Sequence, residues 1–324
     1  MKIMLDSGAF SVWNSGKTVD LQEYIQFCKG CKKADHFVNL DVIPDDKISV
    51  ELAAEQGMAN YKIIRKALPK HSFIPVVHQG ENLQWIDRYE KLGVDYIGIS
   101  PSNACSKEER RQWLLAVKKH LGKRKMKCHG FGVAALELLE CFDWYSVDST
   151  TWAMHAQVWQ ILLPKKDSKG KYDYTKPPLI VNFSPRSKKQ ETGGFGFFKD
   201  SLSDPLLGMH PNIRRQLMEY LAENGVPLGK YETRNVREGH KRVVGESWLN
   251  KEKKAVVLCV EPGAASDVNQ RMLLNSRYYE RVAEAFGVPN FYLSGMPNKA
   301  RWMDEFKCVL VSFHNIPKGF EELL

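Results

Sequence analysis

The sequence predicts an α/β protein, a (β/α)₈ barrel of the TIM type that carries a basic insertion or subdomain. Short apolar runs alternate with helical segments at roughly 25–35 residues per unit, which is typical of βα units with parallel strands. Six such units follow one another without a Gly-rich dinucleotide signature after the first strand, which favours a barrel over a doubly wound sheet. Polar residues stand where the apolar runs end, and in a barrel all these ends meet at one mouth.

The first six βα units are predicted within residues 1–158. Their strands are Lys2–Leu5, His36–Val42, Ser72–Val77, Tyr96–Ser100, Lys127–Phe131 and Trp144–Val147. The helical segments between them are residues 20–34, 47–67, 82–92, 106–121 and 134–142.

Residues 159–254 break this rhythm and are predicted to form a basic nucleic-acid-binding subdomain. The segment combines a charged loop, a Gly- and Phe-rich loop and two helices, at Lys165–Lys176, Gly193–Phe198, Asn212–Asn224 and Glu232–Glu246. Residues 255–324 are predicted to supply the last βα units. Their strands are Ala255–Val260 and Asn290–Ser294, with helices over residues 268–286 and 298–306.

The positive charge of the chain is concentrated in one segment. The formal net charge is +9; residues 160–254 hold 19 Lys+Arg against 11 Asp+Glu, a net of +8, and the remainder holds 28 against 27, a net of +1. A concentrated basic region predicts a polyanion partner, most often nucleic acid. A solvated, Lys-rich surface is the alternative interpretation.

Composition indicates a soluble, cytoplasmic protein. No apolar run reaches about 18 residues, and no signal-peptide core precedes Asp6. Seven scattered cysteines suit a reducing compartment. Cys28 and Cys31 form a Cys-x-x-Cys on a predicted helix, where we interpret them as ordinary helix residues.

Each predicted strand of the first six units ends in residues that can carry chemistry. These ends are Asp6-Ser7-Gly8-Ala9-Phe10, Asn39-Leu40-Asp41, His78-Gln79-Gly80, Gly98-Ile99-Ser100, His129-Gly130-Phe131-Gly132 and Asp148-Ser149-Thr150. An ionised carboxylate is costly to bury unless it is paired, so two carboxylates at one mouth indicate a functional pair.

A pocket for a heterocyclic base is the prediction for this mouth. Asp41, Gln79 and the Gly98 amide offer donors and acceptors for the base edges, and Phe10 or His129 offers a stacking face. Taken singly, Asp6 could cap a helix or pair with a basic residue. Asp41 could organise a turn and His129 could be structural.

These strand ends together resemble the tRNA-guanine transglycosylase superfamily, over residues 1–158. Asp6-Ser-Gly-Ala-Phe10 is similar to the family's Asp-Ser-Gly-Gly-aromatic motif, and His78-Gln-Gly80 to its Val-Gln-Gly stretch. Gly98-Ile-Ser100 resembles the Gly-Gly-Leu segment, Gly130-Phe-Gly132 the Gly-Val-Gly turn, and Asp148 the nucleophilic Asp.

The resemblance implies base exchange at a glycosidic bond. Asp148 would be the nucleophile and Asp6 the general acid and base. It places the base among Ser7, Phe10, Asp41, Gln79, Gly98, His129 and Gly130. No redox cofactor or ATP is implied, and the sequence contains no phosphate-binding Gly-x-x-x-x-Gly-Lys-Ser/Thr loop.

Three departures from the family's motifs indicate which branch of the family the chain resembles. Ala9 replaces a Gly, Ser149-Thr-Thr-Trp152 replaces Pro-Thr-Arg, and the Cys-x-Cys-x-x-Cys…His zinc signature is missing. Cys259, Cys308 and His314 are the remaining candidates for a zinc site. The missing signature and the basic segment resemble the divergent phage-type branch, which acts on guanine in DNA and inserts a 7-deazaguanine such as preQ0 or preQ1.

The expected partner is therefore DNA rather than tRNA, and a homodimer is left open. The predicted phosphate contacts are Arg186, Lys188, Lys189, Arg214, Arg215, Arg234, Arg237, Lys241 and Arg242, with Phe195, Phe197 and Phe198 either wedging bases or forming core. The alternatives are a tRNA enzyme without zinc and a catalytically silent nucleic-acid-binding subunit. A metal-dependent barrel hydrolase would need a ligand cluster such as His-x-His, which the sequence lacks.

Overall fold

The protein divides into two compact units. A computed structural model describes residues 1–13, 18–44, 48–183, 206, 209–249, 252–295, 306–314 and 316. The barrel unit comprises Met1–Thr150 and Ala283–Leu324, and the basic unit comprises Thr151–Val282. Strands and helices are numbered in chain order through both units.

Nine parallel strands form a single sheet in the barrel unit. They are β1 (Lys2–Asp6), β2 (His36–Val38), β3 (Phe73–Ile74), β4 (Val76–His78), β5 (Tyr96–Ser100), β6 (Lys127–Gly130), β7 (Ser146–Ser149), β15 (Asn290–Leu293) and β16 (Cys308–Ser312). The helices between the first seven are α1 (Ala9–Trp13), α2 (Leu21–Gly30), α3 (Val50–Ala67), α4 (Gln84–Lys91), α5 (Lys107–Leu121) and α6 (Leu136–Glu140).

The sheet is a nearly closed barrel. Its strand order is β3-β2-β1-β16-β15-β7-β6-β5-β4, so β3 and β4 stand at the two edges. Only Pro75 separates these two strands, and proline has no N–H to continue a ladder. On one side Asn39 N donates to Ile74 O at 2.8 Å, and on the other Gly98 N donates to Pro75 O at 2.8 Å. The prediction of an α/β protein with a barrel-like parallel sheet is confirmed.

Local sequence explains the helix starts and the barrel core. Asp20 caps α2 by accepting from two backbone N–H groups, and Ser106 with Glu109 forms a capping box at α5. Alternate strand residues bury a common cluster, because side chains along a strand point to opposite faces. The cluster consists of Met4, Val38, Ile74, Val76, Tyr96, Tyr292, Cys308 and Leu310.

The basic unit has its own secondary structure and core. Its elements are α7 (Thr151–Gln157), β8 (Gln160–Leu163), β9 (Lys165–Lys166), β10 (Tyr172–Asp173), β11 (Leu179–Asn182), α8 (Pro211–Glu223), β12 (Lys230–Asn235), β13 (Glu246–Trp248), β14 (Ala255–Glu261) and α9 (Val268–Ala285), which runs into the barrel unit. The strand pairs among the described residues of this unit are antiparallel: β8 with β11, β9 with β10, and β14 between β12 and β13. Leu217, Tyr220 and Phe183 lie in the buried cluster.

Two predicted elements were wrong. The run Ala255–Val260 is not a barrel strand, since β14 pairs antiparallel with β12 and β13. Residues Glu232–Glu246 do not form a helix, but the strand β12, a loop and the start of β13. Gly239 and Gly245 in that loop have φ of +81° and +88°, a left-handed conformation that interrupts a helix.

The domain boundaries also shift. Residues 255–282 belong to the basic unit and not to the barrel, which resumes at Ala283. The last two barrel strands are β15, as predicted, and β16 at Cys308–Ser312, an apolar run that was not predicted as a strand. The helix predicted over residues 298–306 lies outside the described residues except at Phe306. No helix in the described ranges is long and apolar enough to cross a membrane.

Candidate active site

Three carboxyl groups lie at the C-terminal ends of the barrel strands. Asp6 ends β1, Asp148 lies in β7 one residue before that strand ends, and Asp41 follows β2 by three residues. The negative charges of Asp41 and Asp148 both act on Asp6. The sequence-predicted carboxylates are therefore brought together at one mouth.

Asp6 is the carboxyl group whose proton affinity is most changed. Burial, and then the charges of Asp41 and Asp148, raise the pKa of Asp6 to about 7, although backbone N–H groups of Gly8 and Ser7 lower it. Gly8 has φ of +74°, and a Cβ there would lie 2.8 Å from Ser312 Oγ. Only glycine fits at this position, where the turn after β1 passes close to the end of β16. The turn places the backbone N–H groups of Ser7 and Gly8 at the Asp6 carboxyl group. Asp6 can therefore release and take up a proton near neutral pH.

Asp41 is held by His78, whose side chain is 14% exposed and which was not among the predicted site residues. His78 Nε2 lies 2.9 Å from Asp41 Oδ2, and His78 Nδ1 lies 2.8 Å from Glu81 Oε1. Burial lowers the pKa of His78, but hydrogen bonds to the two carboxylates outweigh it and raise that pKa to about 10. Both ring nitrogens then carry protons and donate. This imidazolium leaves Asp41 Oδ1, 3.5 Å from Ser7 Oγ, as the freer oxygen.

Gln79 serves the scaffold and not the pocket. Its Oε1 accepts from Ser102 N at 3.0 Å and its Nε2 lies 3.5 Å from Glu109 O, so both polar ends hold the loop between β5 and α5. Adjacent strand residues point to opposite faces, so only one of His78 and Gln79 can face Asp41. The structure gives that position to His78, and the expected base contact moves from Gln79 to the Asp41–His78 pair.

Asp148 is anchored from the neighbouring strand β6. It is buried, and its Oδ1 accepts from Gly132 N at 2.9 Å. His129 Nε2 lies 3.5 Å from the same oxygen, and His129 Nδ1 lies 2.6 Å from Ser146 Oγ. Ser146 Oγ is in turn 2.5 Å from Tyr96 Oη. When Tyr96 donates to Ser146 and Ser146 to Nδ1, the imidazole proton sits on Nε2 and faces Asp148.

His129 does not offer the stacking face that was expected of it. His129 is fully buried, with its ring edge-on to Phe131 at 4.4 Å and to Tyr292 at 5.8 Å. The ring is therefore enclosed in the barrel interior, and its link to the site is the 3.5 Å approach of Nε2 to Asp148 Oδ1.

Two predicted pocket glycines are packing residues. The Gly98 N–H is already bonded to Pro75 O, so it is not available to a ligand. A Cβ at Gly98 would overlap the Phe131 ring, and one at Gly130 would lie 2.9 Å from both Trp144 and Val133. Glycine is required at both positions by the interior of the barrel and not by the mouth.

An exposed aromatic pair stands beside Asp6. Phe10 and Trp13 lie on α1 with ring centroids 6.0 Å apart, and 53% and 38% of their surfaces are exposed. Phe10 was predicted as a stacking residue, whereas Trp13 was missed, although the i, i+3 spacing after Asp6 puts both on one helix face. The pair offers flat apolar surface to a planar ligand.

The predicted phosphate contacts divide into three groups. Arg214 and Arg215 are exposed on α8, and Arg237, Lys241 and Arg242 are exposed after β12. Arg234 is engaged by the buried carboxylate of Glu246. Arg186, Lys188, Lys189, Phe195, Phe197 and Phe198 lie outside the described residues.

The candidate zinc ligands do not converge. Cys308 begins β16 and His314 follows its end, so six residues at about 3.3 Å each put them roughly 20 Å apart. Cys259 belongs to the basic unit. Among the described residues no three His, Cys, Asp or Glu side chains form a metal-binding group. Cys28 and Cys31 are buried thiols of α2 and its C-cap, whose pKa values burial raises to about 12 and about 11.

Comparison with protein-family models gives no match, and comparison with curated proteins gives no significant match.

Proposed function

We propose that this protein is a guanine transglycosylase that exchanges guanine in DNA for a 7-deazaguanine base. The observation that carries the proposal is one carboxyl group, Asp6, with a pKa near 7 beside a carboxylate, Asp148, that a backbone amide holds. Glycosyl transfer with retention needs such a pair, one member to donate and accept protons and one to attack. The order of the motifs in the sequence supports the same chemistry.

Asp148 acts as the nucleophile in the proposed reaction. A carboxylate oxygen attacks C1′ of the target nucleotide, and guanine leaves with the electron pair of the C1′–N9 bond and a proton from Asp6. The hydrogen bond from Gly132 N to Oδ1 fixes one oxygen of Asp148, which leaves the other for attack.

The second half-reaction restores the nucleoside. The incoming 7-deazaguanine loses its N9 proton to Asp6, attacks C1′ and displaces the Asp148 carboxylate, so the configuration at C1′ is retained overall. Asp6 begins the first half-reaction protonated and ends it ionised. It begins the second half-reaction ionised and ends it protonated. A pKa near 7 suits both directions, because neither state is strongly disfavoured at neutral pH.

Recognition of the base is assigned to Asp41 and the exposed aromatic pair. Asp41 Oδ1 is a hydrogen-bond acceptor with a carboxylate charge, and guanine and its 7-deaza analogues present N–H donors on their Watson–Crick edge. His78 Nε2 donates to Asp41 Oδ2 at 2.9 Å, so Oδ1 is the oxygen assigned to the base. Phe10 and Trp13 supply a stacking face on the same side of the barrel as Asp6.

The charge of the basic unit favours a polyanionic substrate, and the missing zinc signature favours DNA over tRNA. Residues 151–282 hold 22 Lys+Arg against 14 Asp+Glu, a net of +8, and the rest of the chain holds 25 against 24, a net of +1. A duplex substrate requires the target nucleotide to be flipped out, at a cost of a few kcal/mol that phosphate contacts offset.

The test is guanine release and adduct capture with the purified protein. Duplex DNA or tRNA carrying radiolabelled guanine is incubated with preQ0 or preQ1, and denaturing gels detect the covalent glycosyl-enzyme. We expect release from DNA and an adduct with the wild-type protein, and neither with Asp148→Ala. The matched control is Asp143→Ala, an exposed carboxylate before β7, which should behave as wild type.

Each other outcome changes the proposal. Release from tRNA alone assigns the tRNA reaction. No release from either substrate, with nucleic-acid binding intact, assigns a silent binding subunit. Full activity of Asp148→Ala excludes the covalent intermediate.

A further inference from the structure

The basic unit contains a loop whose shape depends on one buried carboxylate. Residues 236–245 connect β12 to β13, the two outer strands of the β12-β14-β13 sheet. The side chain of Glu246, the first residue of β13, is completely buried. A buried carboxylate is costly unless it is well paired, so its partners identify what the burial is for.

The side-chain partners of Glu246 among the residues that the structure describes lie on the loop or at its entrance. Oε1 accepts from Arg234 on β12, and Oε2 accepts from His240 Nε2 at 2.9 Å and from Val243 N at 3.0 Å. The backbone adds a bond from Glu246 N to Val243 O at 3.1 Å. The carboxylate therefore ties the entrance, the middle and the far end of the loop together.

The outer side of this loop is cationic. Arg237, Lys241 and Arg242 are exposed, and none of the three has a carboxylate within ion-pair distance among the residues that the structure describes. Glu238 is the single acidic residue between positions 236 and 245. Because Glu246 neutralises Arg234 and is itself inaccessible, the charges left at the surface of the loop are the three outer cations and Glu238, a net of +2.

An apolar pair completes the surface. Val243 is 57% exposed and Val244 fully exposed, directly after Arg242. Solvent-exposed valines beside a cluster of cations form a surface that is complementary to a partner with both negative charge and apolar groups. Nucleic acid presents both, with phosphates flanking the sugars and the base edges of a groove.

We propose that residues 236–245 form a preorganised DNA-binding loop, in which Arg237, Lys241 and Arg242 contact phosphates and Val243 and Val244 lie against sugars or base edges. Glu246 is its positioning residue: it makes no contact with DNA but holds the cations in a fixed arrangement. A loop that is ordered before binding loses less conformational entropy when it binds. The choice of DNA as the polyanion rests on the proposed function.

The test is the salt dependence of binding to a labelled 30-base-pair duplex, with the full-length protein and no free base. In Arg237→Ala/Lys241→Ala/Arg242→Ala we expect the slope of log Kobs against log salt to fall by about 2–3, since each lost phosphate contact removes about 0.9. The charge-matched control is Lys62→Ala/Lys66→Ala/Lys70→Ala, three exposed lysines on and just after α3, which should keep the wild-type slope. An equal fall in both triple variants overturns the proposal.

Glu246→Gln separates a shaped loop from net charge alone. The variant gains one positive charge, so general attraction to DNA would strengthen binding. We expect Kd to rise about fivefold to tenfold instead, because the loop loses its organising ion pairs. Tighter or unchanged binding, with thermal unfolding showing an intact fold, overturns the role of Glu246.

The valines give an independent readout that does not involve charge. Val243→Ser/Val244→Ser should raise Kd about twofold to fivefold and leave the salt slope unchanged, because an apolar contact releases no counterions. Unchanged Kd overturns the apolar contact. Duplex RNA of the same sequence is the second arm, and loop-dependent preference for RNA overturns the assignment to DNA. Binding is measured without base exchange, so failure of the proposed chemistry would leave these results readable.

Discussion

Asp6 is a carboxyl group that the folded protein holds closer to its neutral form than an unfolded chain would. Its pKa rises from 3.8 to about 7 on folding, so the native state binds more protons than the unfolded state between these values. Stability therefore falls as pH rises from about 4 to 7 and stays reduced above that range. The protein is therefore less stable at neutral pH because it keeps a carboxyl group of raised pKa at the mouth.

We predict that Asp6→Asn stabilises the protein at pH 8 by about 1–3 kcal/mol and has little effect at pH 4. A shift of this size corresponds to at most about 4 kcal/mol, and partial exposure of Asp6 reduces it. Urea unfolding at the two pH values measures the difference. The same stabilisation at both values would contradict the raised pKa. Base exchange should be abolished at all pH values.

His78 is the opposite case, a cation that folding stabilises. Its pKa rises from 6.5 to about 10, so its contribution is fully present below pH 6.5 and is lost as pH rises through 10. The pH window of His78 thus begins about where that of Asp6 ends. The two groups can be separated in a single pH series.

We predict that His78→Gln lowers the free energy of unfolding by about 3 kcal/mol at pH 7, because it leaves Asp41 and Glu81 buried without their cation. The variant should also lose the fall in stability between pH 7 and 10. The control is His120→Gln, which breaks a more exposed pair with Asp87 and should cost less than about 1 kcal/mol. Equal effects of the two substitutions would show that His78 is not a buried clamp.

Strand β5 tests the packing of the barrel interior. We predict that Gly98→Ala destabilises the protein by about 1–3 kcal/mol, because the added methyl group overlaps Phe131 and must displace the ring. Gly30→Ala is the control: a methyl group added there, at the end of α2, would meet nothing within 4 Å, and alanine favours a helix. Thermal unfolding measures both. A stable Gly98→Ala protein would show that the ring has room to move.

Helices and strands differed in how well the sequence predicted them. All five helices predicted between β1 and β7 are present, because their apolar spacing and caps are local signals. The strand at Ala255–Glu261 was recognised as a strand but assigned to the wrong sheet. An apolar run indicates that a strand is buried, but its partner is chosen by segments far away in the chain.

The site shows the same division between local and distant information. Asp6, Asp41 and Asp148 were predicted from their places after apolar runs, and in the structure the charges of Asp41 and Asp148 both act on Asp6. Gln79 was predicted as the base contact and His78 was not, because Pro75 interrupts the strand and hides which side chain faces the mouth. His129 was predicted as a ligand contact but is buried in the interior, with Nε2 3.5 Å from Asp148 Oδ1.

Across the whole chain, the positive net charge is concentrated in one of the two compact units. The barrel unit is almost neutral and carries the carboxyl groups, and the basic unit carries a net of +8. Each has a separate buried cluster of apolar side chains. The proposed function therefore assigns attraction of a polyanion and the handling of protons to different parts of the chain.

Composition and periodicity were sufficient to determine the barrel class, the alternation of the first six strands and helices, and the segment where positive charge collects. Each depends on neighbouring residues, so no contact between distant segments is needed to recognise it. The tertiary structure decided the rest: the nearly complete closure around Pro75, the last strand at Cys308–Ser312, the proton affinity of Asp6 and the clamp of Glu246. These depend on burial and on pairs of residues far apart in the chain, which become neighbours only on folding.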